Sequence, residues 1–141
     1  MILYLDTSLL VAGLTAETET GRIQTWLHAQ SSEDLLVSDW VVTEFSAALS
    51  IKLRSSQIDS TQRATALAAF SAFCLTAATV LPVSSEQFRT AALFADQYAL
   101  GLRGGDALHL AICLEYGGTL CTLDRRLSDA GPPLGIPTLL V

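Results

Sequence analysis

Short apolar runs recur along this chain, at residues 2–5, 35–37, 79–83, 119–123 and 137–141, and stretches with helical spacing separate them. Strands that alternate with helices in this way argue a parallel sheet sandwiched between helical layers. The first run makes the case most sharply. Ile2-Leu3-Tyr4-Leu5 has no polar alternation and leads straight into Asp6. Strands covered by helices on both faces lose their polar alternation, so this run reads as a central strand. In open α/β sheets ligands bind outside the carboxyl ends of the strands, and Asp6 stands at such an end.

The 141 residues form one domain, 1–141, by the usual size prior. No linker, repeat or low-complexity segment interrupts the alternation. Half of the residues are hydrophobic and 16% are charged, which excludes a disordered chain. The net charge of -6 argues against a protein that coats nucleic acid through bulk charge, and it leaves room for an acidic site neutralised by cations. Cys74, Cys113 and Cys121 are odd in number and have no ligand spacing, so zinc is not expected. They read as buried thiols in a reducing cytoplasm. The first strand starts at residue 2 with no basic leader, so no signal peptide is expected. Residues 64–85 carry no charge, but their Ala, Ser and Thr content and Pro82 favour a helix end plus a strand over a membrane span.

Between the strands, Thr7 and Ser8 can cap a turn or short helix through Val11. Residues 16–30 look helical, with Ile23, Trp26 and Leu27 on one stripe. Ser38 or Asp39 caps a helix over about 40–53, in which Glu44, Ala47, Ala48 and Ile51 share a face. Asp59 with Gln62, and Ser84 with Gln87, are capping-box patterns. They open helices to about residue 75 and to about residue 100, the second expected to turn Phe88, Ala91, Ala92 and Ala95 inward and to stop at Gly101. Residues 106–114 form a helix that is apolar almost all round and is therefore buried. Asp106 sits in its first turn, where the helix dipole favours negative charge.

Four acids thus fall near strand ends: Asp6 and Asp124 follow strands, and Glu44 and Asp106 lie on helices that start there. Taken singly, each has a plain structural explanation, as a cap, a solvated helix residue, a dipole partner or a turn former. Gathered at one sheet edge they repel, or hold protons, unless a cation balances them. Mg²⁺ and Mn²⁺ prefer oxygen ligands and keep waters for substrate, which suits displacement at a phosphodiester.

Leu5-Asp6-Thr7-Ser8, Thr43-Glu44, Leu102-Arg103-Gly104-Gly105-Asp106-Ala107-Leu108-His109-Leu110-Ala111 and Thr122-Leu123-Asp124-Arg125-Arg126-Leu127 together resemble a PIN domain, and more narrowly the VapC-type toxins of toxin–antitoxin pairs. The resemblance spans essentially the whole chain. It implies a three-layer α/β/α fold around a central, mostly parallel sheet. It also implies an Mg²⁺- or Mn²⁺-dependent endoribonuclease that cuts a tRNA or rRNA loop, a homodimer, and a VapB-type antitoxin that enters the active-site groove. Asp6, Glu44, Asp106 and Asp124 match the family's acidic quartet, both as catalytic residues and as metal ligands. Asp6 and Asp106 are the direct ligands, Glu44 binds directly or through water, and Asp124 has the weakest claim on the metal. Thr7 and Thr122 match positions whose hydroxyls support the site. Arg103, Arg125 and Arg126 flank the acids and suit RNA phosphates or acidic groups of an antitoxin, with plain surface charge as the alternative. His109 shares a face with Asp106 and reads as a supporting residue rather than a base, with RNA or antitoxin contact as the alternative. Trp26 and Trp40 suit core or dimer packing, with base stacking as the alternative. Lys52 and Arg54 suit the end of their helix. Gly104-Gly105 departs from the family, whose members more often carry a bulkier residue before the aspartate, and is expected to loosen that loop.

Competing readings are a haloacid-dehalogenase-like or receiver-like phosphotransfer protein, an inactive PIN-like interaction module, and an RNA-processing nuclease without an antitoxin. Ser8 stands where the dehalogenase pattern needs a second aspartate. A receiver needs an acidic pair and a late lysine, whereas Lys52 is the only lysine here.

Overall fold

The computed structural model describes residues 1–141. Its five strands are all parallel: β1 (Leu3–Leu5), β2 (Leu35–Ser38), β3 (Thr79–Leu81), β4 (Thr119–Thr122) and β5 (Thr138–Leu140). They lie in the order β3-β2-β1-β4-β5. Leu3 and Tyr4 of β1 pair with Leu35 and Leu36 on one side, and Leu3, Tyr4 and Leu5 pair with Thr119, Leu120 and Cys121 on the other. β1 is buried throughout, as its unbroken apolar run requires, whereas β3 and β5 at the edges carry exposed residues. The sheet expected to be mostly parallel is wholly so.

Seven helices connect the strands: α1 (Thr7–Leu14), α2 (Thr20–His28), α3 (Asp39–Arg54), α4 (Ser60–Thr76), α5 (Ser85–Asp96), α6 (Gly104–Tyr116) and α7 (Arg125–Ala130). The chain winds outward from β1 to β3, then crosses back to β4 beside β1 and continues to β5. Right-handed crossovers therefore place α1 to α4 on one face and α5 to α7 on the other. α1 packs on α2, α3 and α4, and α5 packs along α6. The reversal of winding falls between β1 and β4, the place where α/β sheets leave a crevice.

Several boundaries differ from expectation for local reasons. Asp6 itself caps α1, accepting from Ser8 N–H, and the helix runs a turn beyond Val11 to Leu14. α2 starts only at Thr20, because the Thr20 hydroxyl donates to the Ala12 and Thr15 carbonyls and holds the intervening residues in a turn. Both capping boxes form as the spacing requires. The inward stripe of α3 is Val41, Phe45 and Leu49, not Ala47, Ala48 and Ile51, and Ile51 is exposed. Phe45 stacks on Phe70 of α4, and that large contact decides the face. In α5, Phe88 and Ala92 face outward, while Gln87 and Ala91 are buried. Gly104 and Gly105 are not a loosened loop but the first turn of α6. No helix is long and apolar enough to cross a membrane. All three cysteines are free, and burial pushes the Cys113 and Cys121 thiols up to about 12.

Candidate functional site

Asp6 follows β1 directly, and its N–H bonds the Cys121 carbonyl of β4, so the residue is fastened at the switch point. Both carboxylate oxygens are engaged. Oδ1 accepts from Ser8 N–H at 3.1 Å and from the Ser8 hydroxyl at 2.5 Å, and Oδ2 accepts from the Thr122 hydroxyl at 2.7 Å. Thr122 in turn accepts from Asp124 N–H at 2.9 Å, and Ser8 accepts from Leu123 N–H at 3.1 Å. The segment after β1 is thereby stitched to the segment after β4. Asp6 is only 5% exposed. Burial pushes its carboxyl above the usual range, against the pull of His109 and of the Ser8 and Thr122 hydroxyls.

Glu44 stands on α3, whose start is set by the Ser38 hydroxyl accepting from Val41 N–H at the end of β2. Its Oε1 accepts from the Thr7 hydroxyl at 2.8 Å and is hydrogen-bonded to His109 Nε2. Burial raises the Glu44 carboxyl, but His109 and Thr7 outweigh it, and the result lies below the ordinary value. Asp106 lies in the first turn of α6 and is half-buried. Burial raises its carboxyl, and Asp124, Asp6 and Glu44 raise it further, with only His109 opposing. That pattern of mutual repulsion arises from four acids sharing one crevice. Asp124 is exposed and caps α7, with Oδ1 accepting from Arg126 N–H at 2.9 Å and Leu127 N–H at 3.4 Å.

Above these groups lies a cleft of about 560 Å³ lined by Trp40, Glu44, Arg103, Gly105, Asp106, Asp124 and Arg126. Asp6 and Thr122 are buried beside it and tied to Asp124 of its wall through the Thr122 hydroxyl, and Thr7 is tied to Glu44 of its wall. Arg125 does not reach this cleft. It lines a neighbouring one of about 470 Å³ with Leu100, Asp129 and the shared Arg126. Trp40, one turn before Glu44, is half-buried, and its indole N–H has no partner in the protein. Trp26 packs partly buried against the core, and Lys52 pairs with Glu17 at 2.6 Å.

Tyr4, Ser8, Ser38 and Gly105 were not foreseen as parts of this assembly. Tyr4 is the one polar group in an otherwise aliphatic strand, a signal that a hydroxyl there needs partners. No three carboxylate, imidazole or thiol groups close around one point to form a protein cage for a metal ion. The donors are nonetheless oxygens that repel one another, and Asp106 accepts no hydrogen bond from the protein. Such a set fits a hard cation that binds through one or two carboxylates and keeps its own waters.

Solved structures share this architecture. VapC20 of Mycobacterium tuberculosis, described as a toxin that cleaves the sarcin–ricin loop, superposes with a TM-score of 0.74 at 18% identity, over 92% of this chain and 95% of that one. FitAcB of Neisseria gonorrhoeae gives 0.70 at 14% identity, over 98% and 96%. VapBC2 of Rickettsia felis, solved with a fragment of promoter DNA, gives 0.66 at 14% identity, over 99% and 98%. No curated protein sequence is similar enough to count as a match. The family model for the PIN domain matches residues 3–131, nearly the whole of the chain described above, and the chain belongs to the PIN-domain family.

Proposed function

We propose that this chain is a divalent-metal-dependent endoribonuclease and the toxin of a type II toxin–antitoxin pair. The observation that carries this reading is the convergence of Asp6, Glu44, Asp106 and Asp124 at the switch point of a PIN-domain sheet, where burial and then the charges of the other three raise the Asp106 carboxyl. Bound Mg²⁺ or Mn²⁺ supplies an activated water and stabilises the leaving oxygen of the cut phosphodiester. Asp6 and Asp106 hold that ion most directly. Asp6 is fixed by Ser8 and Thr122, and Asp106 offers a carboxylate that no protein donor occupies. Glu44 contributes through its second oxygen, and Asp124 stands at the rim. Arg103 and Arg126, on the same cleft, hold RNA phosphates through forked hydrogen bonds. The similarity to VapC20 suggests an exposed RNA loop of the sarcin–ricin kind as substrate, with a tRNA loop as the alternative. The similarity to VapBC2 and FitAcB suggests a VapB-type antitoxin; a homodimer is part of the proposal on the family resemblance alone.

Purified protein with total cellular RNA, with and without Mg²⁺ or Mn²⁺ and with 5′ ends mapped, tests this directly. A few discrete cuts that require the ion and vanish in Asp6→Asn are expected. Uncut RNA from folded, metal-supplied protein, or cuts that persist in Asp6→Asn, would refute it.

A further inference from the structure

His109 uses both of its ring nitrogens. It lies on α6 one turn after Asp106 and is 2% exposed. Nδ1 is 2.8 Å from the Tyr4 hydroxyl on β1, and Nε2 meets Glu44 Oε1 on α3. The Tyr4 hydroxyl is also 2.8 Å from Ser38 Oγ at the end of β2. Tyr4 and Ser38 are 1% and 0% exposed. Three buried polar side chains from β1, β2 and α6 therefore form one line, and that line ends on a single oxygen of Glu44.

The direction of the last bond follows from chemistry. A carboxylate only accepts, so His109 Nε2 carries a proton whatever the charge of the ring. With a neutral ring, Nδ1 accepts from Tyr4 and Ser38 donates to Tyr4. With a charged ring, Nδ1 donates to Tyr4 and Tyr4 donates to Ser38. Glu44 meets the same donor in both cases. Thr7 adds a second donor to the same Oε1 at 2.8 Å. Oε2 is left for the cleft, and its position is marked by Gly105, where a Cβ would lie 3.2 Å from Oε2.

We propose that Tyr4 and His109 are positioning residues that pin Glu44 Oε1, so that Glu44 presents one oxygen, Oε2, to the cation side of the cleft. The inference rests on the metal-nuclease reading for its consequence, and on the hydrogen-bonded line alone for the pinning. A polar network kept only for core packing would make no difference to Glu44. Buried groups behind a metal ligand commonly fix its orientation, and their loss is felt at the metal.

Tyr4→Phe is the test variant, because it keeps the ring and removes only the hydroxyl. Mn²⁺ titration by calorimetry, without RNA, is carried out on wild type, Tyr4→Phe, Glu44→Gln and the double variant. Tyr4→Phe is expected to weaken Mn²⁺ binding about tenfold, the low end for loss of a group behind a ligand. In the Glu44→Gln background it should cost nothing further. Equal losses in both backgrounds, or no loss in either, would overturn the proposal. Imidazole ¹⁵N–¹H spectra of the metal-free proteins provide the second readout. A slowly exchanging His109 Nε2–H that becomes labile in Tyr4→Phe upholds the pinning, and one already labile in wild type overturns it. If wild type binds no Mn²⁺, the nuclease reading falls, and the spectra alone decide whether Glu44 is pinned.

Discussion

Gly105→Ala separates aim from stability. A Cβ at residue 105 would lie 3.2 Å from Glu44 Oε2 and 3.3 Å from Trp40 Cζ2. Both neighbours are side chains on α3, one turn apart, so each can yield by a few tenths of an ångström. Displacing side chains from their rotamers by modest angles costs about 0.5–1.5 kcal/mol. Against this, residue 105 is helical, and replacing glycine at a compatible position recovers about 0.4–1 kcal/mol, chiefly from the unfolded chain. The two nearly cancel, so the melting temperature should move by no more than about 4 °C. Cleavage should not be spared. Misplacement by 1 Å can cost about a hundredfold, so a few tenths of an ångström at Glu44 should lower kcat/KM roughly three- to tenfold. The assay pairs thermal melts with steady-state cleavage of the mapped RNA loop. Unchanged kcat/KM at unchanged stability would refute the aiming of Oε2. A large loss of stability would show that Trp40 and Glu44 cannot yield, and that Gly105 is there for packing.

Other substitutions reach other parts of the molecule. Asp6 has a folded-state pKa raised by burial, so its ionised form opposes folding. Its stabilising share is present in acid and is lost as pH rises from the ordinary carboxylate range through the raised value. Asp6→Asn should therefore unfold at no lower urea concentration than wild type at neutral pH without metal, with the difference shrinking toward acid pH. Glu44 has the opposite sign, and its contribution fades as pH falls through its lowered value. Arg126→Gln should reduce the salt slope of RNA binding by about one and weaken different RNAs alike, as loss of a phosphate contact does. An unchanged slope in binding titrations would make Arg126 a plain surface charge. Gly131→Ala would place a Cβ 2.3 Å from Thr138 Cγ2 and 2.8 Å from the Ile136 carbonyl. Overpacking of this kind costs about 1–3 kcal/mol, so the melting temperature should fall while the folded enzyme still cleaves.

The order of strands and helices was legible because buried parallel strands carry no competing signal. Ile2 to Leu5 and the run before Asp124 could be little else. Asp59 with Gln62, and Ser84 with Gln87, announced two helix starts through chemistry that is local. Helix faces were less legible where alanine dominates, since a small side chain suits either side. In α3 the face was chosen by the Phe45 stack on Phe70, a contact between helices. The four acids could be placed by their positions after strands and at helix starts. The line from Ser38 through Tyr4 to His109 could not, because its members lie 34 and 105 residues apart and meet only through the strand order.

The stitching of Asp6 to Thr122 has a consequence in time. The two residues are 116 positions apart, and β4 cannot dock beside β1 until the chain between them has been made and folded. Ribosomes release the N-terminal part first. A nascent chain carrying Asp6 and Glu44 but not β4 has half a crevice, with no Thr122 to hold Asp6 and no Asp124 at the rim. Under the proposed function, the site stays incomplete until β4, at the start of about the last sixth of the chain, has emerged. That interval is when a partner reaching the nascent chain would meet a site not yet able to cut.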